Sequence, residues 1–260
     1  MKGIFRKVGI GAPCETVVAT RAGRAGTVTS DNLRTPVLGI WREGVGDVFA
    51  QLLRRNDVPK GQSGGVLSPM LETLRAGHAA RWVEGPRVLD CGCGRSRILS
   101  MLGSEVSYTG IDRDPALVEH LRRVYPGSEF LCSDVEDLSI AEDTRFDSIV
   151  MMALFEHLAS PTTFLKKLAS LLRPGGRLIL TTPAPSFEFV LWAGSKLALF
   201  SRHAEEEHEG LSGRQEVENA LIAAGLEPEF FTRFLFGANQ LLIARKSADS
   251  EATGSAGTAP

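Results

Sequence analysis

Between residues 87 and 183 short apolar runs alternate with stretches of helical spacing: RVLDC, then 95–103, VSYTGI, then 115–125, EFLC, then FDSIVMM, a helix at 161–172, and RLILTTP. Strand followed by helix, repeated, leaves few folds open. A parallel neighbour is reached only by a crossover, and the crossover helices come to lie over the sheet. The pattern therefore predicts an α/β chain with a parallel sheet and helices on both faces. Asp114-Pro115 and Ser160-Pro161 each read as an N-cap followed by proline at the first helical position. Ser68-Pro69 reads the same way and opens a helix over 69–83, with Leu71, Leu74, His78 and Trp82 recurring at helical spacing. Arg173-Pro174-Gly175-Gly176 closes the helix before the last of these strands. Further on, a helix from Arg214 to Ala224 stops at Gly225. Strand-like runs at 230–236 and 240–244, split by Gly237-Ala238-Asn239, predict an antiparallel hairpin at the sheet edge.

Charge divides the chain. Residues 1–62 carry ten Lys/Arg against five acids, a balance of +5. The other 198 residues then hold 19 basic and 26 acidic side chains, or −7, which restores the total of −2. That near balance excludes a sequence-independent nucleic-acid binder, which needs a strong basic excess. The expected organisation is a basic, weakly ordered extension at 1–62 with a short helix at 47–56, a folded domain at 63–246, and a disordered tail at 247–260 that has no large apolar residue. The longest apolar stretch, 187–200, is interrupted by Glu188, Gly194, Ser195 and Lys196 and falls short of the ~18 residues a membrane span requires. The N-terminus lacks the continuous apolar core of a secretory signal, so the expected location is cytoplasmic. Cys14, Cys91, Cys93 and Cys132 read as free thiols. Cys91 and Cys93, two residues apart on a turn, match neither a zinc-ligand pair nor a CxxC redox pair.

The sharpest local feature is Val88-Leu89-Asp90-Cys91-Gly92-Cys93-Gly94-Arg95-Ser96, a buried strand running into a glycine turn. In open α/β sheets ligands sit beyond the carboxyl ends of the strands, and glycines there let a ligand approach the backbone. A dinucleotide fingerprint would need a third glycine where Arg97 stands, and Asp90 would set a carboxylate against the pyrophosphate. A carboxylate there suits a cation, such as the ammonium of an amino-acid-like ligand. Asp112, at the tip of the next strand, is placed to accept from both hydroxyls of a ribose, and Asp134 ends the third strand beside an adenine edge. Ammonium, ribose and adenine together describe S-adenosylmethionine.

The core resembles the class I S-adenosylmethionine-dependent methyltransferases, in particular the small-molecule group that includes quinone and lipid-intermediate methylating enzymes. The resemblance spans about 70–245. It rests on VLDCGCGRSRIL at 88–99, GID at 110–112, SDVEDL at 133–138, FDSIVMMALFEHLASP at 146–161 and LLRPGGRLILTTP at 171–183, in the family's order and spacing. It implies a Rossmann-like, seven-stranded, mostly parallel sheet with an antiparallel edge hairpin. By resemblance Asp90, Gly92, Cys93 and Gly94 line the methionine and ribose side. Asp112 with Arg113 holds the ribose, Asp134 and Val135 bind adenine, and Met151 to Ala153 face the sulfonium. Ser96 stands where the family's glycine loop has its last glycine. Ala153 stands where a metal-assisted subset has an extra Glu before Glu156-His157, so no metal is expected.

Methyl transfer from a sulfonium is an in-line displacement that asks the protein mainly to orient and desolvate the reactants. The absence of a nucleophile motif agrees with that. If the acceptor is a hydroxyl or amine, His157 is the first candidate base and His208 the second. The segment 184–212 carries Phe187, Phe189, Trp192, Leu197, Leu199 and Phe200, more apolar surface than a connection needs, which points to a lipophilic or aromatic small-molecule acceptor. Three alternatives stand beside this reading. One is an aminopropyl transferase, whose acidic polyamine pocket is not evident. Another is a catalytically silent methyltransferase-like subunit that binds a partner, against which the intact Asp90, Gly92, Gly94 and Asp112 argue. The last is a membrane-peripheral enzyme acting on a lipid intermediate through 1–62 or 187–200.

Overall fold

The central strands form because their side chains have cover on both sides. In β3 (Arg87–Cys91) only the first residue is exposed, and β6 (Phe146–Met152) is buried up to its last. Strands of that kind pair in parallel beneath two helical layers. The computed structural model describes residues 6–7, 17–18, 68–138, 140–141, 143–185 and 212–248. With β4 (Ser107–Asp112), β5 (Glu129–Cys132), β7 (Leu172–Pro183), β8 (Leu226–Phe234) and β9 (Asn239–Lys246), these strands make a seven-stranded sheet of order β5-β4-β3-β6-β7-β9-β8. Pairing is parallel from β5 through β7 and antiparallel at β7-β9 and β8-β9, as the repeating pattern and the edge hairpin predicted.

Strand alternation sorts the core into two layers. Leu89, Cys91, Ile111, Ile149, Met151, Leu178 and Leu180 pack one face against Phe164, Leu165 and Leu168 of α3 (Pro161–Leu171) and Val217 and Leu221 of α4 (Arg214–Ala223). Val88, Tyr108, Phe130, Val150, Ile179 and Ile243 pack the other against Ala76 and Ala79 of α1 (Ser68–Ala80) and Leu117, Val118 and Leu121 of α2 (Pro115–Val124). Side chains at 0% exposure on both faces, such as Leu89 and Ile179, each contribute roughly 1.5–3 kcal/mol of burial. Ion pairs close the N-terminal end of the sheet. Asp147 accepts from Arg87 N at 2.8 Å and pairs with Arg173 at 2.7 Å, while Arg177 pairs with Glu84 and Glu229. The parallel strands finish at the opposite end.

Several local expectations are corrected. The helix predicted over 95–103 is only a single 3₁₀ turn at Leu99–Met101, because Ser96 takes a left-handed φ of 50° that an α-helix cannot include. On α1 Leu74 is 37% exposed, and the covered face runs through Ala76 and Ala79 instead. Asp114 caps α2 as predicted, accepting from Ala116 N and Leu117 N, but Ser160 makes no side-chain cap at α3. The Glu136 carboxylate reaches across instead, to Ala159 N and Ser160 N at 3.4 and 3.3 Å. Residues 173–176 are drawn into β7 as an irregular start with Gly175 at φ 74°. The edge hairpin is longer than predicted, and Leu235, Phe236 and Gly237 at its tip are all left-handed.

Of the four cysteines, Cys91 and Cys93 are free and buried. Cys132 departs from the free-thiol expectation. It ends edge strand β5, where it is reachable from outside the core, and it is disulfide-bonded. Cys14, the short helix expected at 47–56, residues 187–200 and most of the C-terminal tail lie outside the described residues. Within 1–62 only β1 (Arg6–Lys7) and β2 (Val17–Val18) are described, as an antiparallel pair. Among the described residues no helix is long and apolar enough to cross a membrane.

Candidate functional site

From β3 the chain passes outward to β4 and β5, and from β6 it passes the other way to β7. The reversal opens a crevice beyond the ends of β3 and β6, the place where ligands bind in sheets of this kind. The loop that floors it is held by alternate left-handed residues, Gly92 at φ 67°, Gly94 at 49° and Ser96 at 50°. Cys93 N donates to Ile111 O at 2.8 Å, and Gly94 N donates to Asp112 Oδ2 at 2.9 Å. A Cβ placed on Gly94 would meet nothing within 4 Å, whereas one on Gly92 would touch Leu154 at 3.4 Å. The loop thus offers bare backbone at Gly94 and is lidded at Gly92.

Asp112 ends β4 with both oxygens in use, Oδ2 for Gly94 N and Oδ1 for Asp114 N at 3.0 Å. It ties the glycine loop to the start of α2. Each carboxylate oxygen keeps a second lone pair, so two hydroxyls can still bond it. Arg113, next in the chain, is exposed. One strand further out, Asp134 is exposed with its Oδ1 accepting from Glu136 N at 3.0 Å, and Val135 beside it is buried. Asp112, Asp134 and the loop at Gly92 and Gly94 therefore stand in a row at the carboxyl ends of β3, β4 and β5.

Three expected contacts are corrected in kind. Asp90 is 0% exposed: its Oδ2 accepts from the Tyr108 hydroxyl at 2.6 Å, and its Oδ1 has no partner. It lies beneath the loop, not at its surface. Burial pushes its carboxyl up to about 7, against the pull of the Tyr108 hydrogen bond and with a further push from the Asp112 charge. Cys93 turns its side chain inward, 3.0 Å from where a Cβ of Gly110 would stand, so only its backbone faces the crevice. Met151 is fully buried in the layer under α3, because alternation on β6 points it away from the loop. Met152 and Ala153 are the residues that emerge. Ala153 carries a left-handed φ of 49° and is held by its N–H to Thr181 O at 2.7 Å.

On the far side of the crevice His157 is exposed on a 3₁₀ turn at Phe155–His157, and its neighbour Glu156 accepts from Thr182 Oγ1 at 3.0 Å at the end of β7. Arg75, on α1, donates to Asn239 Oδ1 at 2.7 Å, with the charges of Glu156 and Glu72 acting on it. Arg75, Thr182, Asn239 and Tyr108 were missed by reading the sequence. The signal for Arg75 was present, a charged residue four after Leu71 and three before His78 on the covered side of a helix. Asn239 pairs with Pro183 through the β7–β9 register, which sequence does not show. His208 lies outside the described residues. Among the described residues no group of three or more His, Cys, Asp or Glu side chains is placed to hold a metal ion.

The donor set fits S-adenosylmethionine. A buried carboxylate oxygen without a partner under a bare glycine loop favours a cationic group above it, and a strand-end carboxylate with free lone pairs suits a ribose.

Residues 89–180 match the methyltransferase-domain family. The chain is 39% identical over 107 residues to a ubiquinone biosynthesis O-methyltransferase of Xanthomonas euvesicatoria pv. vesicatoria, an alignment covering 38% of this chain and 44% of that protein. It thus spans less than half the length of that relative. Among solved structures, a possible exported protein from Bordetella parapertussis superposes with TM-score 0.58 at 19% identity over 80% of this chain and 81% of that one. Magnesium protoporphyrin IX methyltransferase from Synechocystis PCC 6803, solved with bound SAH, gives TM-score 0.54 at 18% identity over 78% and 94%. At such identities the structures speak for the fold alone. The family match over the glycine loop, the row of strand-end acids and the seven-stranded sheet that carries them agree on a methyltransferase-family domain at residues 89–180.

Proposed function

We propose that the chain transfers the methyl group of S-adenosylmethionine to a small, lipophilic or aromatic acceptor. The observation that carries this is the coupling of the glycine loop to two carboxylates, Gly94 N–H on Asp112 and the partnerless Oδ1 of Asp90 beneath. When bound, the cofactor supplies an electrophilic methyl on a sulfonium with a neutral thioether as leaving group. The protein's work is placement. Gly92 and Gly94 admit the ligand to the backbone, Asp112 holds the ribose hydroxyls with Arg113 beside it, and Asp134 and Val135 take the adenine. The backbone at Met151 and the residues Met152 and Ala153 flank the reacting end. Arg75 is a fitting partner for the methionine carboxylate, as a guanidinium already fixed by Asn239.

The activity named for the Xanthomonas relatives favours an oxygen acceptor. A phenolic hydroxyl gives up its proton during the displacement, and His157, exposed on the turn after β6, is in a position to receive it, with His208 as second candidate. The apolar residues of 187–200 support a lipophilic acceptor, and together with the basic 1–62 they support contact with a membrane surface.

The test is to incubate the full chain with methyl-labelled S-adenosylmethionine and a cell extract divided into organic-soluble and aqueous fractions. Label entering an organic-soluble product, and failing to do so with Asp112→Ala, supports the reading. Label that stays on the cofactor in every fraction refutes it.

A further inference from the structure

At the root of the glycine loop three side chains form one buried chain of hydrogen bonds. Tyr108, 2% exposed on β4, donates to Asp90 Oδ2 at 2.6 Å, and Ser96 Oγ stands 3.3 Å from the same hydroxyl. With the single Tyr108 proton committed to Asp90, the Ser96 proton is the one left to close the second contact. Ser96 is itself 0% exposed at φ 50°, a left-handed conformation that disfavours any residue with a Cβ. A serine therefore sits where a glycine is the easy choice, and its hydroxyl is received by a tyrosine. Tyr108, second in β4, is packed into an apolar cluster, so its hydroxyl would be costly to bury without these two partners.

We propose that Tyr108 is a positioning residue of the cofactor site, its hydroxyl joining Asp90 to Ser96 so that the carboxylate and the left-handed end of the loop are held as one unit with Asp90 Oδ1 kept for the ligand's cation. The inference rests on the S-adenosylmethionine reading above. Two oxygens of Asp90 divide the labour: Oδ2 is occupied by Tyr108, and Oδ1 is the unsatisfied one. Without the Tyr108 donor both oxygens would be buried without partners, and the carboxylate would take up a proton at a higher pH than it now does. The hydroxyl thus keeps Asp90 charged over a wider range of pH, which is the state a cationic ligand needs. The ionisable groups that interact with Asp90 are Tyr108 and Asp112 on β4 and Cys91 and Cys93 on its own strand and loop, while the helices packed over this face carry Glu72, Arg75 and His78 on α1 and His120 on α2. Of these Tyr108 and Asp112 act on it directly, in opposite directions.

The experiment is calorimetric titration of the full chain with S-adenosylhomocysteine, which carries the same ammonium, at intervals from pH 5.5 to 9, for wild type, Tyr108→Phe and Ser96→Ala. Thermal melts of each protein run alongside. In the wild type affinity weakens as pH falls through neutrality. In Tyr108→Phe the midpoint of that loss moves up, and a shift of ~1 pH unit from about 7 lowers affinity roughly fivefold at pH 7, nearing tenfold only at the acid end of the range. Ser96→Ala moves the midpoint the same way by less, since it weakens the Tyr108 donor indirectly, and it carries the test if Tyr108→Phe fails to fold. The ligand's own amino titration is common to all three proteins. A lower melting temperature with an unmoved midpoint makes Tyr108 a packing residue and overturns the proposal. Absence of binding by the wild type at every pH overturns the cofactor reading itself.

Discussion

Replacing Asp112 with Ala removes two backbone tethers and two candidate ribose contacts at once. In the protein alone its Oδ2 and Oδ1 accept from Gly94 N at 2.9 Å and Asp114 N at 3.0 Å. Both amides border the open crevice, where water can replace the carboxylate, so stability falls by only about 1 kcal/mol. The larger loss falls on the cofactor. A hydrogen bond to a charged group contributes about 1.5–3 kcal/mol, and the loosened Gly94 adds the cost of ordering the loop on binding. With partial replacement by water, affinity falls by about 1–3 kcal/mol, or roughly 5- to 150-fold. Titration calorimetry with S-adenosylhomocysteine measures it, and Asp112→Asn separates its parts. The amide keeps one acceptor oxygen for an N–H but turns an NH₂ toward the other, and it removes the charge. It should lie between wild type and the alanine variant. An Asp112→Ala protein that melts cooperatively and binds with unchanged affinity would falsify the ribose assignment, whatever its turnover.

Other residues give independent readouts. Gly110 lies under the loop, where a Cβ would stand 2.9 Å from the Phe130 ring and 3.0 Å from Cys93 Sγ. Gly110→Ala should cost about 1–3 kcal/mol of stability in a urea melt and weaken cofactor binding, because Cys93 must shift and carries the loop with it. A neutral result would mean the strand and loop relax freely. Asp90 couples stability to pH. Its carboxyl rises from 3.8 to about 7 on folding, so between those values the folded state holds more proton than the unfolded state. Its contribution is fully present below the lower value and is lost as pH rises to about 7, amounting to a few kcal/mol at most. Urea melts from pH 4 to 8 should show that decline in the wild type without ligand, and Asp90→Asn should flatten it. An equal slope in both proteins would place the titration elsewhere.

The repeating apolar pattern was enough for the parallel part of the sheet because its central strands are buried on both faces, leaving a period that few other folds share. The edge hairpin was legible for a related reason, since Gly237 offers the left-handed turn that joins two apolar runs. Element ends were less so. Ser96 broke the helix expected at 95–103 because its hydroxyl is held at the loop's root by Tyr108, twelve residues away, and spacing says nothing of such a bond. Ser160 makes no side-chain cap, and the tie at this helix start comes from another loop, where Glu136 accepts from the Ala159 and Ser160 amides. The site divided along similar lines. Asp112 and the two glycines could be placed because strand ends and glycine turns are local features. Asp90 was rightly singled out, but its depth was not foreseen, since that depends on Tyr108 on the next strand. Arg75 and Asn239 meet across 164 residues and needed the fold before they could be seen together.

The central claim is that S-adenosylmethionine lies across the carboxyl ends of β3, β4 and β5, with its sulfonium toward the end of β6. Amide hydrogen exchange on the full chain, with and without saturating cofactor, reads this directly. The account predicts slowed exchange at 92–96, 112–114, 133–136 and 152–154, with little change at the ion-paired end of the sheet near Glu84 and Arg177. Cofactor that leaves these four segments unprotected, or protects the opposite end instead, would contradict it.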